Sequence, residues 1–175
     1  DGIRENITNY VTGFSPEIYD IFEQFKIFDV IKDLDENDLL FLVIERFCKP
    51  ELDLSPESVS NADMGDVYEE LIRKFSEASN ETAGEHFSPR DGLRLATELL
   101  IAGEMDDLTQ PNRIVKVCDP CAGTGGALTC FADRVAEINP KATVVTYAQE
   151  INAQSYAICK SDTILKGGST VNVHK

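Results

Sequence analysis

The sequence predicts an α + α/β chain, a helical N-terminal half followed by the opening βαβ unit of a parallel sheet. Three observations carry this. Up to about residue 84, apolar residues recur at helical spacing and no strand alternation appears. Ile114-Val115-Lys116-Val117-Cys118 then reads as a short buried strand, and Asp119-Pro120-Cys121-Ala122-Gly123-Thr124-Gly125-Gly126 as a tight turn before a helix over Ala127 to Val135. Finally, Thr143-Val144-Val145-Thr146-Tyr147-Ala148 reads as a second strand that ends in Gln149-Glu150.

Each element has its own signal. Residues 1–13 are polar and mixed and read as a frayed or interrupted helix. Ser15-Pro16-Glu17 supplies a hydroxyl N-cap, a proline at the first helical position and an acid near the positive helix end. Ile18, Ile21, Phe22, Phe25 and Phe28 follow at helical spacing and read as a core stripe. Asp35-Glu36-Asn37-Asp38 reads as the start of a helix whose apolar residues, Leu39 to Phe47, lie on more than one side. Ser55-Pro56-Glu57 repeats the start signal, and Met64 to Ala78 is amphipathic, with Val67, Leu71, Ile72 and Phe75 on one stripe. Residues 79–84 are rich in turn formers, which places a domain boundary there and gives domains 1–84 and 85–175. Ser88-Pro89-Arg90-Asp91 reads as a capping box, with a helix to about Ala102 and Gly103 as its C-cap. Glu104 to Asn112 is a polar loop. A last helix covers about 153–166, Gly167-Gly168 stops it, and the tail begins another strand.

Composition narrows the function classes. The 175 residues carry a net charge of −15, unevenly placed. Residues 1–84 hold 20 acidic and 7 basic side chains, a net of −13, and residues 85–175 hold 11 and 9, a net of −2. Gripping DNA phosphates needs clustered Lys and Arg, so any DNA partner must be held by basic surface elsewhere. With 42% hydrophobic residues the chain can bury a core, and no apolar run reaches membrane-spanning length. The first residue is Asp1 rather than Met, so a longer parent is expected. Five cysteines in no framework spacing read as reduced thiols of a cytoplasmic protein.

The glycine turn sits where an open α/β sheet binds ligands, just beyond the carboxyl end of a strand. Glycines there permit positive φ and close approach of a ligand to the backbone. A phosphate-cradling loop would need a Lys after its last glycine, and none follows Gly126. A dinucleotide fingerprint needs a third small residue, and Leu128 stands in its place. Asp119 sits where a diphosphate would press, so its carboxylate suits a ligand with a cationic amino group instead. S-adenosylmethionine is such a ligand. Glu150 ends the second strand, 27 residues after Gly123, the place of an acid that binds a ribose hydroxyl pair. The bland alternatives are that Asp119 only caps the turn and that Glu150 is only a solvated strand end. Cys118-Asp119-Pro120-Cys121 imitates a redox pair, but Cys118 is expected inside a buried strand and the glycine turn postpones the activating helix. Zinc lacks a second pair of ligands, and no metal is expected.

From about Ile3 to Gly167 the chain resembles the modification subunit of type I restriction-modification systems, S-adenosylmethionine-dependent adenine-N6 DNA methyltransferases. The residues that carry the likeness are Met64-Gly65-Asp66-Val67-Tyr68-Glu69-Glu70-Leu71-Ile72, Ala83-Gly84-Glu85-His86-Phe87-Ser88-Pro89-Arg90, Asp119 to Gly126, and Gln149-Glu150-Ile151-Asn152, in this order. Ser88 replaces a frequent Thr, and Cys121-Ala122 reverses a common pair; both keep side-chain size. The resemblance implies an N-terminal helical, subunit-interaction domain and an incomplete Rossmann-like methyltransferase domain. It also implies that Glu85, His86, Phe87, Ser88, Pro89 and Arg90 contribute to the S-adenosylmethionine pocket. By spacing alone this stretch is a linker and a helix cap, and His86 has no catalytic role. The candidate cofactor residues are then these six with Asp119, Pro120, Gly123, Thr124, Gly125, Gly126 and Glu150.

In the resembling enzymes an Asn/Asp-Pro-Pro-aromatic tetrapeptide holds the adenine amine. Asn139-Pro140-Lys141 and Asp119-Pro120-Cys121 lack its second proline and its aromatic. No catalytic residue is therefore assigned, and the chain by itself is expected to transfer no methyl group. The implied partners are DNA, a DNA-specificity subunit and a restriction subunit. The alternative is a non-catalytic assembly module whose acidic half docks a basic specificity subunit. A nucleotide-dependent redox enzyme is disfavoured by Leu128 and Asp119.

Overall fold

The computed structural model describes residues 2–55, 57–78 and 88–175. The N-terminal half consists of α1 (Ile3–Thr12), α2 (Pro16–Gln24), α3 (Ile27–Glu36), α4 (Leu40–Phe47) and α5 (Asn61–Ala78). Pro16 opens α2 behind Ser15 as expected, although the Ser15 hydroxyl makes no capping bond. The stripe from Ile18 to Phe28 does not form one helix, because Lys26 takes a φ of 54° and starts a new one. This break turns α3 back against α1 and α2, each of the three burying one residue, Val11, Ile21 and Ile31. Aromatic pairs fill the space between them, with Phe14 and Phe22 centred 5.5 Å apart and Tyr19 and Phe28 6.0 Å apart.

Two start signals were misread. Asp35-Glu36-Asn37-Asp38 ends α3 instead of starting α4: the Asn37 amide donates to the Asp33 carbonyl (2.7 Å), and Asp38 takes a φ of 56°. Asn and Asp serve helix exits as readily as entries, since both tolerate the left-handed region. Near Ser55 the chain makes a turn in which the Ser55 amide donates to the Asp53 carboxylate (3.0 Å). Pro56 lies outside the described residues. The helix waits for Ser60, whose Oγ accepts the Asp63 amide (3.2 Å). The expected stripe of α5 is also displaced. Val67 and Leu71 are exposed, while Gly65 is buried and Tyr68 and Ile72 are half-buried. Gly65 leaves room for the side chain of Lys166, just past the last described helix.

The link 79–84 lies outside the described residues. The C-terminal half holds α6 (Arg90–Ile101), α7 (Met105–Leu108), β1 (Ile114–Asp119), α8 (Gly126–Ile138), β2 (Thr143–Gln149), α9 (Ala153–Leu165), a 3-10 turn (Thr170–Asn172) and β3 (Val173–His174). The capping box at Ser88 does not form, because Pro89 takes the N-cap position with no side-chain cap. At the far end Ala102, not Gly103, is the C-cap. Part of the expected polar loop coils into α7, which buries Leu108. The stop after α9 and the strand in the tail are as read: Gly167 has a φ of 74°, and the Gly168 amide returns to the Thr163 carbonyl (2.8 Å).

The three described strands form one parallel sheet in the order β1-β2-β3, with Asp119 opposite Ala148 and Ala148 opposite Val173. Val115 and Val117 of β1 and Val144 and Ala148 of β2 pack towards α8 and α9. On the other face Ile114, Lys116 and Cys118 are exposed, so β1 is one-sided and not the buried strand expected. Beneath the sheet Ile101, Leu108, Phe131 and Val135 form one apolar cluster, and Ala122, Leu128, Tyr156 and Cys159 another. Helix α9 is the hub: α2 and α5 of the N-terminal half both pack on it, and seven of its residues from Ser155 to Asp162 are buried.

Candidate cofactor site

Three backbone amides of the glycine turn are fixed by the two strand ends. Asp119 closes β1, and its carboxylate accepts the Cys121 amide (3.0 Å). The Ala122 amide donates to the Gln149 carbonyl at the tip of β2 (3.0 Å). The Gly123 amide donates to Glu150 Oε2 (2.8 Å), and the other oxygen of Glu150 accepts the Asn152 amide (2.6 Å). The Glu150 amide in turn donates to the His174 carbonyl of β3 (2.9 Å). Asn152 caps α9, its Oδ1 accepting the amides of Gln154 (2.9 Å) and Ser155 (3.0 Å). Glu150 is therefore the knot at which turn, second strand and next helix meet. Asp119 does cap the turn, as its bland alternative held, and Glu150 is half-buried and bonded instead of a solvated strand end.

The turn needs its glycines. Gly123 has a φ of 55° and Gly125 a φ of 91°, where side chains are strained. A Cβ on Gly123 would meet no described atom within 4 Å, so the turn is open there among the described residues. A Cβ on Gly125 would stand 3.0 Å from Cys159 Sγ, so α9 packs directly under the turn. Burial pushes the Cys159 thiol up to about 11, with Asp162, Asp119 and Glu150 adding to the effect. Both candidate carboxylates thus act on one point beneath the turn, and the thiol stays protonated at neutral pH. Gly125→Ala is expected to cost about 2–4 kcal/mol, from left-handed strain plus overpacking. Adding Cys159→Ala should recover only the packing part in a denaturant melt; full recovery would show that φ is not strained.

Ser88 and Pro89 are exposed and lead into α6, whose Leu93 lies against the first residue of α8, 3.5 Å from a Cβ built on Gly126. The Arg90 guanidinium pairs with Glu69 of α5. Pro120 is exposed and Thr124 half-buried beside the bonded turn. Glu85, His86 and Phe87 lie outside the described residues. The structure thus brings Asp119, the glycines and Glu150 to one turn and sets the start of α6 beside it. Asn152 was missed as a site residue, although an Asn just before a helix is a capping signal. Nothing local in the sequence pointed to Cys159. Cys118 and Cys121 are both exposed, so burial does not protect Cys118 as expected; the turn still separates Cys121 from the start of α8. Asn139 is no amine holder, for its side-chain nitrogen donates to the carbonyls of Leu108 (2.8 Å) and Gln110 (2.9 Å).

The turn and its two acids lie within the stretch that comparison with known proteins covers. The family model described as N-6 DNA Methylase matches residues 59–175. The chain belongs to the N-6 DNA Methylase family. It is 29% identical over 110 residues to the type I restriction enzyme EcoEI methylase subunit of Escherichia coli, covering 59% of this chain and 20% of that one. It is 31% identical over 101 residues to the type I restriction enzyme MpnII methylase subunit of Mycoplasma pneumoniae, covering 58% of this chain and 17% of that one. The match therefore spans about a fifth of the length of these relatives. They bear out the resemblance to type I modification subunits read from the motifs. The family match begins just before α5 and takes in the whole sheet. No helix among the described residues is long and apolar enough to cross a membrane.

Proposed function

We propose that this chain forms the first part of the S-adenosylmethionine site of a type I restriction-modification methylase subunit, which methylates the exocyclic amine of adenine in DNA. The observation that carries the reading is the convergence of two carboxylates on one glycine turn, Asp119 through Cys121 and Glu150 through Gly123. In this reading residues 85–175 open a Rossmann-like domain, and residues 1–84 form a subunit-interaction domain of a cytoplasmic assembly. Each Glu150 oxygen already takes one backbone amide and keeps a second lone-pair site, enough to accept a ribose hydroxyl. Asp119 offers its free oxygen to the α-amino group. The residues fit a ligand with cations and hydroxyls but no phosphate. When bound, S-adenosylmethionine supplies an activated methyl group on a sulfonium. This chain's residues hold and orient it, a matter of positioning. The adenine must leave the duplex to reach such a pocket. An amine-holding tetrapeptide elsewhere in the assembly would receive it. The acidic surface leaves DNA gripping to the partner subunits.

Calorimetric titration of the chain with S-adenosylmethionine is the direct test. Saturable binding with no methyl transfer to adenine-containing duplex is expected. Absence of binding refutes the cofactor reading, and turnover by the chain alone refutes the assignment of the amine-holding element elsewhere.

A second reading, an assembly module that docks a DNA-specificity subunit, is favoured by one observation. Helix α4 buries Leu40 yet leaves Phe41, Leu42 and Phe47 more than half exposed within the acidic half. The two readings are compatible.

A further inference from the structure

The motif from Met64 to Ile72 has no role in the site as described, yet its side chains reach it. Glu69 of α5 stands between two cations far apart in sequence. One of its oxygens pairs with Arg90, the first residue of α6, and the other accepts from Lys166 Nζ just past α9 (3.0 Å). Lys166 also bonds Asp162 of α9 (2.8 Å) and the Thr129 hydroxyl in the first turn of α8 (3.3 Å). One turn earlier, Gly65 serves the same contact: a Cβ there would lie 3.3 Å from Cε and 3.5 Å from Cγ of Lys166, so a bare backbone leaves room for the lysine stem. Gly65 and Glu69 are one helical turn apart and face the same way. The motif thus joins α5 to the starts of both helices that flank the glycine turn.

We propose that Glu69 is a positioning residue for the cofactor site. It sets the start of α6 through Arg90, and the first turn of α8 through Lys166 and Thr129. Leu93 of α6 packs beside Gly126, so the spacing of these two helix starts fixes the wall of the turn. The inference rests on the cofactor reading above. It gives α5, from the N-terminal half, a part in ligand affinity and not only in assembly.

The test is a double-mutant cycle read in S-adenosylmethionine Kd by calorimetry on this chain, with E69Q, R90Q and both together. R90Q is expected to weaken binding about tenfold, E69Q at least as much because it also disturbs the Lys166 arm, and the pair no more than E69Q alone. E69D should restore part of the loss. E70Q is the control: Glu70 pairs with Arg73 within the same helix (2.6 Å) and should leave Kd unchanged. Where E69Q fails to fold by circular dichroism, R90Q, at an exposed site, carries the test. Binding unchanged by R90Q, or penalties that multiply in the pair, overturn the inference while leaving the cofactor reading intact. No binding by the unaltered chain overturns both.

Discussion

Asp20→Ala is expected to cost about 3–5 kcal/mol of stability, because it strands a buried charge. Lys160 lies on α9 with its side chain only 8% exposed, and its Nζ bonds Asp20 of α2 at 2.6 Å. The Tyr156 hydroxyl donates to the same Asp20 oxygen (2.8 Å) and accepts from Lys160 (3.0 Å). The two halves of the chain are thus joined by a charge pair and a phenol, 140 positions apart in sequence for the ion pair. With Asp20 gone, the ammonium keeps only the tyrosine hydroxyl among the described residues. A thermal melt should fall by roughly 10 °C. Replacing the pair together, Asp20→Leu with Lys160→Met, should recover most of the loss, since the cost lies in the unpaired charge. A loss below about 1 kcal/mol, the range of a surface pair, would show that Lys160 reaches water instead.

The pH dependence follows with its sign. Burial pushes the Asp20 carboxyl up, but hydrogen bonds from Lys160, Tyr156 and Gln24 outweigh it and hold the group below its usual range. Burial pushes the Lys160 ammonium down, but bonds to Asp20 and Tyr156 outweigh that and raise it. A lowered carboxyl contributes stability that is present above its unfolded value, about 3.9, and is lost as pH falls through the folded one. A raised ammonium contributes stability that is present below about 10.4 and is lost as pH rises through its folded value. The gap between the native chain and Asp20→Ala should therefore be flat from about pH 5 to 9 and close on either side. A gap that widened in acid would contradict the pairing.

Glu150→Gln is expected to weaken S-adenosylmethionine binding about a hundredfold, as severely as Glu150→Ala. An amide is ordinarily the mild replacement for a carboxylate. Here both oxygens face backbone donors, Gly123 and Asn152. Whichever way the amide is turned, its nitrogen meets an N–H and one backbone donor is left unpaired. Calorimetry should find both variants weak. A denaturant melt should find each destabilised by about 1–3 kcal/mol, because the turn loses its tie to β2. A Gln variant that binds like the native chain would mean that Glu150 serves neither the turn nor the ribose.

How much of this was legible in the sequence depends on the range of the interaction. The strand, glycine turn, helix and second strand were legible because each is dictated by nearest neighbours: β-branched runs, positive-φ glycines, an apolar helix face. Glycines at 123 and 125 announced left-handed backbone, and both are there. Helix boundaries in the acidic half were less legible. Asn37 and Asp38 look alike at a helix entry and at an exit, and only the packing of α3 against α1 and α2 chose between them.

The sequence by itself determined which groups stand at the candidate site: two carboxylates at two strand ends, a glycine turn, and no lysine for phosphate. It could do so because a ligand is recognised by functional groups whose spacing is local. Only the tertiary structure decided what holds those groups in place. Glu69 meeting Arg90 and Lys166, Asp20 meeting Lys160, and Cys159 lying under Gly125 each join segments that no periodicity relates. Burial strengthens the Asp20–Lys160 pair and seats Cys159, and burial is a property of the packed chain alone.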